Sequence, residues 1–182
     1  RTFTTTTPVG RTFTTTLDAL GRPIEVGAAG LAPVQATYEE HGKLASLTQD
    51  GRTYAFEYDT ARRLTQVTDP LGRTLQIASD AANRPVAYTR PDGQAVTYVY
   101  DAADNVTAVT PPSRGAAAFA YTPVNLQSSA VVPAGAGAPA TTQATFDLDR
   151  EPTQVTRGGV ALNAAYDAAG RVQTITHPAD TF

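Results

Sequence analysis

The residues best equipped for chemistry are carboxylates, and they recur. Asp59, Asp101 and Asp167 each follow a tyrosine (Tyr58, Tyr100 and Tyr166) in the segments YDTARRLTQVTDP, YDAADNVTAVTPP and YDAAGRVQTITHP. Repeated Tyr-Asp pairs could stack sugars on the rings or gather calcium on the carboxylates. The Gly-rich nonapeptide pattern of calcium-binding β-rolls is absent. The chain has no Cys, which excludes disulfides and Cys-ligated metals. His41 and His177 fall in or near turns of distant segments, with no Ser or Cys nucleophile pattern beside either. An enzyme acting on polysaccharide needs paired acid and base residues, and no segment supplies such a pair. The structural alternative is simpler. An Asp placed after the last residue of a strand can accept backbone N–H groups two or three residues on, and so fix a turn. We therefore expect no catalytic residue, cofactor or metal, and read Tyr58, Asp59, Tyr100, Asp101, Tyr166, Asp167, Gly170 and Arg171 as a structural repeat motif.

The repeat extends well beyond these three copies. Aligned on the opening pair, repeats start at Leu17, Tyr38, Tyr58, Ser79, Tyr100, Tyr121, Phe146 and Tyr166. The second position then reads Asp18, Glu39, Asp59, Asp80, Asp101, Thr122, Asp147 and Asp167. Three residues later stand Gly21, Gly42, Asn83, Asp104, Asn125 and Gly170, types that tolerate the left-handed φ of a type I turn followed by a bulge. Arg62 and Arg150 hold that slot in the other two repeats, where we expect a strained or differently built turn. About twelve residues into most repeats lies a Pro-x-Gly stretch such as Pro70-Leu71-Gly72 or Pro91-Asp92-Gly93; two repeats instead have Asp50-Gly51 and Gly158-Gly159. The latter pairs favour two-residue hairpin turns, in which both central residues take positive φ. The segment Val131–Thr142, VVPAGAGAPATT, reads as a flexible surface loop.

The elements between turns follow from alternation. Val34, Ala36 and Tyr38, or Tyr54, Phe56 and Tyr58, alternate with small or polar residues, as a half-buried antiparallel strand requires. The second strand of each repeat is rich in β-branched residues. Its expected buried anchor is the residue nine after the start: Val26, Leu47, Val67, Tyr88, Val109, Ala130, Val155 and Ile175, apolar in all eight. The prediction is an all-β fold with almost no helix. It takes the form of one array over residues 1–182, a long antiparallel hairpin ribbon of about sixteen strands. Strands twist relative to one another, so such a ribbon must curl or cover its apolar face against other polypeptide. The aromatic row Tyr54, Phe56, Tyr58, Tyr98, Tyr100, Phe119, Tyr121 and Tyr166 should lie on one face. The absence of Met and the uncapped ends lead us to expect a piece of a longer array.

Composition narrows the function. The 182 residues are 41% apolar and 17% charged, too apolar for a disordered tail. A formal net charge of −3 and the lack of clustered Lys and Arg argue against nucleic acid. No apolar run approaches a membrane span.

The recurrent YDxxGRV…TxxxP form, clearest at Tyr166–Pro178, resembles the YD repeats of the Rhs family, which also occur in insecticidal toxin-complex components and teneurins. The resemblance covers Leu17–Phe182. It implies a ribbon that spirals into a hollow β-shell. It further implies encapsulation and delivery of a C-terminal polypeptide toxin, in a bacterial, exported or cell-surface protein used in competition between bacteria. The partners implied are the remainder of the shell and an enclosed polypeptide cargo. The alternative is a cell-surface or fibre-forming repeat protein used in adhesion or scaffolding, with glycans or further copies as partners. Asp69-Pro70-Leu71-Gly72 resembles part of the DPxG signal that closes bacterial Rhs shells near a self-cleavage point, but repeats continue after it, and we read it as an ordinary turn.

Overall fold

The computed structural model describes residues 1–133 and 140–177. Among the described residues there are seventeen strands and no helix, the all-β class expected from the alternation. The chain divides into two compact units, Arg1–Gln94 and Ala95–Phe182. In the first, the strands are β1 (Thr2–Thr6), β2 (Thr12–Leu17), β3 (Pro23–Ala28), β4 (Val34–Tyr38), β5 (Leu44–Gln49), β6 (Arg52–Tyr58), β7 (Leu64–Thr68), β8 (Thr74–Ser79) and β9 (Pro85–Thr89). Each pairs antiparallel with the next. The second unit repeats the plan. Its strands are β10 (Ala95–Tyr100), β11 (Val106–Thr110), β12 (Ala117–Tyr121), β13 (Gln127–Val132), β14 (Ala140–Phe146), β15 (Pro152–Arg157), β16 (Val160–Tyr166) and β17 (Val172–Thr176). They too pair in sequence order.

Register places the apolar residues on one face of each unit. The residue nine after each start sits directly opposite the residue two before that start: Ala36 faces Leu47, Phe56 faces Val67, Ile77 faces Tyr88 and Tyr98 faces Val109. The next strand continues the row, with Leu47 opposite Tyr54, Val67 opposite Leu75, Val109 opposite Ala117 and Val155 opposite Leu162. Side chains alternate between faces, so Tyr54, Phe56 and Tyr58 share one face in the first unit, as do Tyr98 and Tyr100 on β10 in the second. The opposite face is a ladder of hydroxyls and amides. Thr37 Oγ1 lies 2.6 Å from Ser46 Oγ, Gln66 Nε2 donates to Glu57 Oε1 at 3.0 Å, and Gln154 Nε2 donates to Asn163 Oδ1 at 2.8 Å.

One expectation is corrected here. The nine-after-start residues are not buried anchors: no described side chain is fully buried, and Val26, Val155 and Ile175 are exposed, Ile175 by 66%. The reason is that each unit is a single layer of sheet, with no second layer to close over the apolar row.

The turns explain how the ribbon reverses so regularly. In each repeat the second residue donates its N–H to the carbonyl four residues on and accepts, at its own carbonyl, the N–H three residues on; Asp167 does so with Arg171 and Gly170. This is a type I turn with a left-handed fourth residue. Thr7–Arg11, Asp69–Arg73 and Arg90–Gln94 form the same turn at the opposite ends of the hairpins. Asp50-Gly51 (φ 50° and 72°) and Gly158-Gly159 (φ 59° and 83°) make the two-residue turns expected of them. Each hairpin also carries a register shift between the start residue and the one before it, so the start residue opposes the residue six later, as Tyr58 opposes Leu64. The sequence pattern does not reveal this bulge.

The segment Val131–Thr142 differs from the loop predicted. Val131 and Val132 end β13 while Ala140–Thr142 begin β14, with Val131 opposite Thr141. The middle of that segment, residues 134–139, lies outside the described residues, as does Pro178 of the last motif. Arg62 and Arg150 build the same turn as their glycine counterparts, at φ 63° and 69°. The turn is therefore strained, not remodelled, because a Cβ in the left-handed region approaches the following carbonyl. Arg62→Gly should raise stability by about 1 kcal/mol, read as an upward shift of the thermal midpoint followed by circular dichroism.

Candidate functional site

The repeated motif is one device built from four residues. The first is the residue after the start. In all eight repeats its side-chain oxygen accepts the backbone N–H four residues on: Arg22 to Asp18 (2.9 Å), Lys43 to Glu39 (2.7 Å), Arg63 to Asp59 (2.9 Å), Arg84 to Asp80 (3.0 Å), Asn105 to Asp101 (2.9 Å), Leu126 to Thr122 (3.1 Å), Glu151 to Asp147 (2.9 Å) and Arg171 to Asp167 (3.0 Å). The same Asp oxygen accepts a second N–H two residues on, from Leu20, Ala82, Ala103, Asp149 and Ala169. The expected partners were two or three residues on; the observed ones are two and four, because the donor at four lies just past the left-handed residue.

The second side chain is the residue four after the Asp. Arg22, Arg63, Arg84 and Arg171 donate Nε–H to the other carboxylate oxygen at 2.7–2.8 Å. Asn105 does the same through Nδ2 at 3.0 Å. Asp69 and Arg73 repeat the fork, at 2.6 Å. The DPLG segment is thus a turn of the ordinary kind, its carboxylate engaged by Leu71 N–H, Arg73 N–H and the Arg73 guanidinium. Only Arg171 of these positions belonged to the motif read from sequence; the Asp-x-x-x-Arg spacing at 18/22, 59/63, 69/73 and 80/84 was the available signal.

That fourth-on residue also reaches the following repeat. The Arg22 guanidinium stacks 4.4 Å above the Tyr38 ring. Arg63 donates to the backbone carbonyl of Asp80. Asn105 Nδ2 donates to Asn125 Oδ1 at 3.0 Å.

The third component is the tyrosine hydroxyl. Tyr38, Tyr58, Tyr121 and Tyr166 donate to the backbone carbonyls of Pro23, Leu44, Val106 and Pro152, at 2.7, 2.9, 3.0 and 3.0 Å. Each acceptor is the residue opposed to the start in the preceding repeat, so the tyrosine clasps its neighbour at the bulge. The left-handed residue is the fourth component. At Gly170, with φ 74°, an added Cβ would lie 2.7 Å from Glu151 Oε1.

The electrostatics follow from these bonds. The Arg171 and Ala169 N–H groups and the Arg171 side chain hold the Asp167 carboxyl below its ordinary range. Asp18, Asp59, Asp69 and Asp80 are lowered by the corresponding donors, and Glu39 chiefly by the Lys43 N–H. His41 Nδ1 lies 3.1 Å from Glu39 Oε2. Among the described residues no group of three or more His, Asp or Glu is gathered to hold a metal ion, and no helix is long and apolar enough to cross a membrane. What the arrangement performs is reversal and registration of the chain.

Comparison with known proteins agrees with this geometry. Residues 10–182 match the family described as Teneurin YD-shell. The chain is similar in structure to the TcdB2-TccC3 complex lacking its hypervariable C-terminal region, at TM-score 0.67 and 16% identity, over 92% of this chain and 10% of that one. It is likewise similar to the Tc holotoxin pore of Photorhabdus luminescens, at TM-score 0.64 and 15% identity, over 93% and 12% of the two chains. The complex TcdB2-TccC3-Cdc42 matches at TM-score 0.65 and 15% identity, over 91% and 12%. The chain therefore spans about a tenth of the length of these neighbours. No curated protein sequence matches it.

Removing one component should loosen one turn and leave its neighbours intact. Tyr58→Phe, at the half-buried clasp on Leu44, should cost about 1 kcal/mol, read as a lowered thermal midpoint. Asp167→Ala and Gly170→Val should each destabilise the last turn, the second more because it combines left-handed strain with the Glu151 contact.

Acid should act on all the forks together. A carboxyl lowered in the folded state stabilises above its unfolded value and loses that contribution as the pH falls through the folded one. The thermal midpoint should therefore hold steady from neutral pH to about pH 4 and drop below it. A midpoint unchanged on going below that pH would show the forks to be energetically silent.

Proposed function

The chain belongs to the Teneurin YD-shell family, and from that premise we propose that it forms one stretch of a shell wall that encloses and helps deliver a polypeptide cargo. It does so as a single repeat array with the remainder of the shell as its partner. The observation that carries this reading is the uncovered apolar row of each unit, Leu47, Tyr54, Phe56, Val67 and Leu75 in the first and Tyr98, Val109 and Ala117 in the second, with no fully buried side chain among the described residues. A wall with one apolar and one hydroxyl-and-amide face suits a container, since the polar face meets water and the apolar face meets chain. Apolar contact demands no fixed shape, so a partly folded polypeptide satisfies it. The motif residues Tyr58, Asp59, Tyr100, Asp101, Tyr166, Asp167, Gly170 and Arg171 serve the wall's geometry and perform no catalysis. A secreted or cell-surface protein, exported from a bacterium, fits this role.

The test is electron microscopy of the longest polypeptide that contains this array, combined with protease treatment. A hollow particle tens of ångströms across, whose enclosed segment survives proteolysis, is the expected result. A narrow rod with the aromatic rows packed against one another and no lumen would overturn encapsulation in favour of a fibre or adhesin.

A further inference from the structure

The turn at Asp147–Glu151 keeps the side-chain capture of backbone N–H groups but departs from its counterparts in the other three components of the device. Its start residue is Phe146, which has no hydroxyl to clasp the preceding repeat. Its left-handed position is held by Arg150, at φ 69°. Most tellingly, Glu151 stands where Arg22, Arg63, Arg84 and Arg171 supply the cation of the fork. Glu151 keeps the backbone part of the pattern, its N–H donating to Asp147 Oδ1 at 2.9 Å. Its carboxylate nevertheless occupies the bridging position, against Gly170 of the following turn.

We propose that the Asp147–Glu151 turn is a pH-set joint of the array, loosened at neutral pH by the ionised Glu151 and tightened against the Asp167–Arg171 turn when Glu151 is protonated. The charged groups that surround Glu151 are unbalanced. Its own turn supplies Asp147, Asp149 and Arg150, and the following turn supplies Asp167 and Arg171. Arg171 is already committed to Asp167 at 2.8 Å. The preceding turn, Thr122–Leu126, has no titratable side chain. Burial against the neighbouring turn, followed by repulsion from Asp147, Asp149 and Asp167, raises the Glu151 carboxyl above its ordinary value. A raised carboxyl gives stability that is complete below its unfolded value and lost as the pH rises through the folded one. This is the reverse of the Asp-Arg forks, which lose stability only at lower pH. Mild acid therefore tightens this joint before it weakens any other.

Amide hydrogen exchange of the whole chain, corrected for intrinsic rates, tests this near pH 5 and near pH 7.5. The amides of Asp149 and Glu151 should be several-fold better protected near the lower pH, while those of Ala169 and Arg171 should not gain. Glu151→Gln should abolish the difference without altering side-chain size, and Glu151→Arg should protect the turn at both pH values. Equal protection at the two pH values in the unaltered chain, or a pH-dependent gain that persists in Glu151→Gln, would overturn the proposal.

Discussion

Everything regular in this protein depends on one interaction, the capture of a backbone N–H by the side-chain oxygen of the residue four positions before it. It occurs in all eight repeats, whether that residue is Asp, Glu or Thr. It holds the chain in the left-handed step that turns one strand antiparallel to the last. The cost of that step falls on a Gly or Asn in most repeats and on an Arg in two. With reversal fixed locally, each strand's facing is decided before any distant contact forms.

The second constraint is the single layer. Among the described residues there is no helix, each unit is one layer of sheet, and no apolar side chain is completely buried. Cohesion comes from ladder hydrogen bonds, cross-strand pairs such as Phe56 with Val67, and small ties that run from one repeat to the next. The tyrosine clasps and the Arg22 and Arg63 bridges are such ties. They connect nearest neighbours, as in other repeat proteins whose stability is a sum of units and interfaces. In each unit the apolar face stays open to solvent among the described residues.

Because the ties are local, departures from the motif act locally. Asn105 preserves the fork as a neutral hydrogen bond, Thr122 keeps the backbone capture but has no second oxygen for a fork, and Glu151 reverses the charge. The array is therefore uniform in geometry and uneven in electrostatics.

The sequence by itself determined the strands, their facing and the position of nearly every turn, including those that follow the Tyr-Asp pairs. Those properties depend on neighbours within about a dozen residues, and period-two alternation with Gly, Asn and Asp at fixed offsets records them directly. The tertiary structure decided what depends on where neighbouring repeats come to rest. It made Arg22, Arg63 and Arg84 partners of the carboxylates, aimed the tyrosine hydroxyls at the carbonyls of Pro23 and Leu44, and placed Glu151 against Gly170. It also showed that Ile175 and Val26 are exposed, because burial requires a second layer and alternation reveals only which side such a layer would cover. The strand ends at Val131–Val132 and Ala140–Thr142 were hidden for the same reason: small residues carry little alternation, and pairing with the adjacent strands is what orders them.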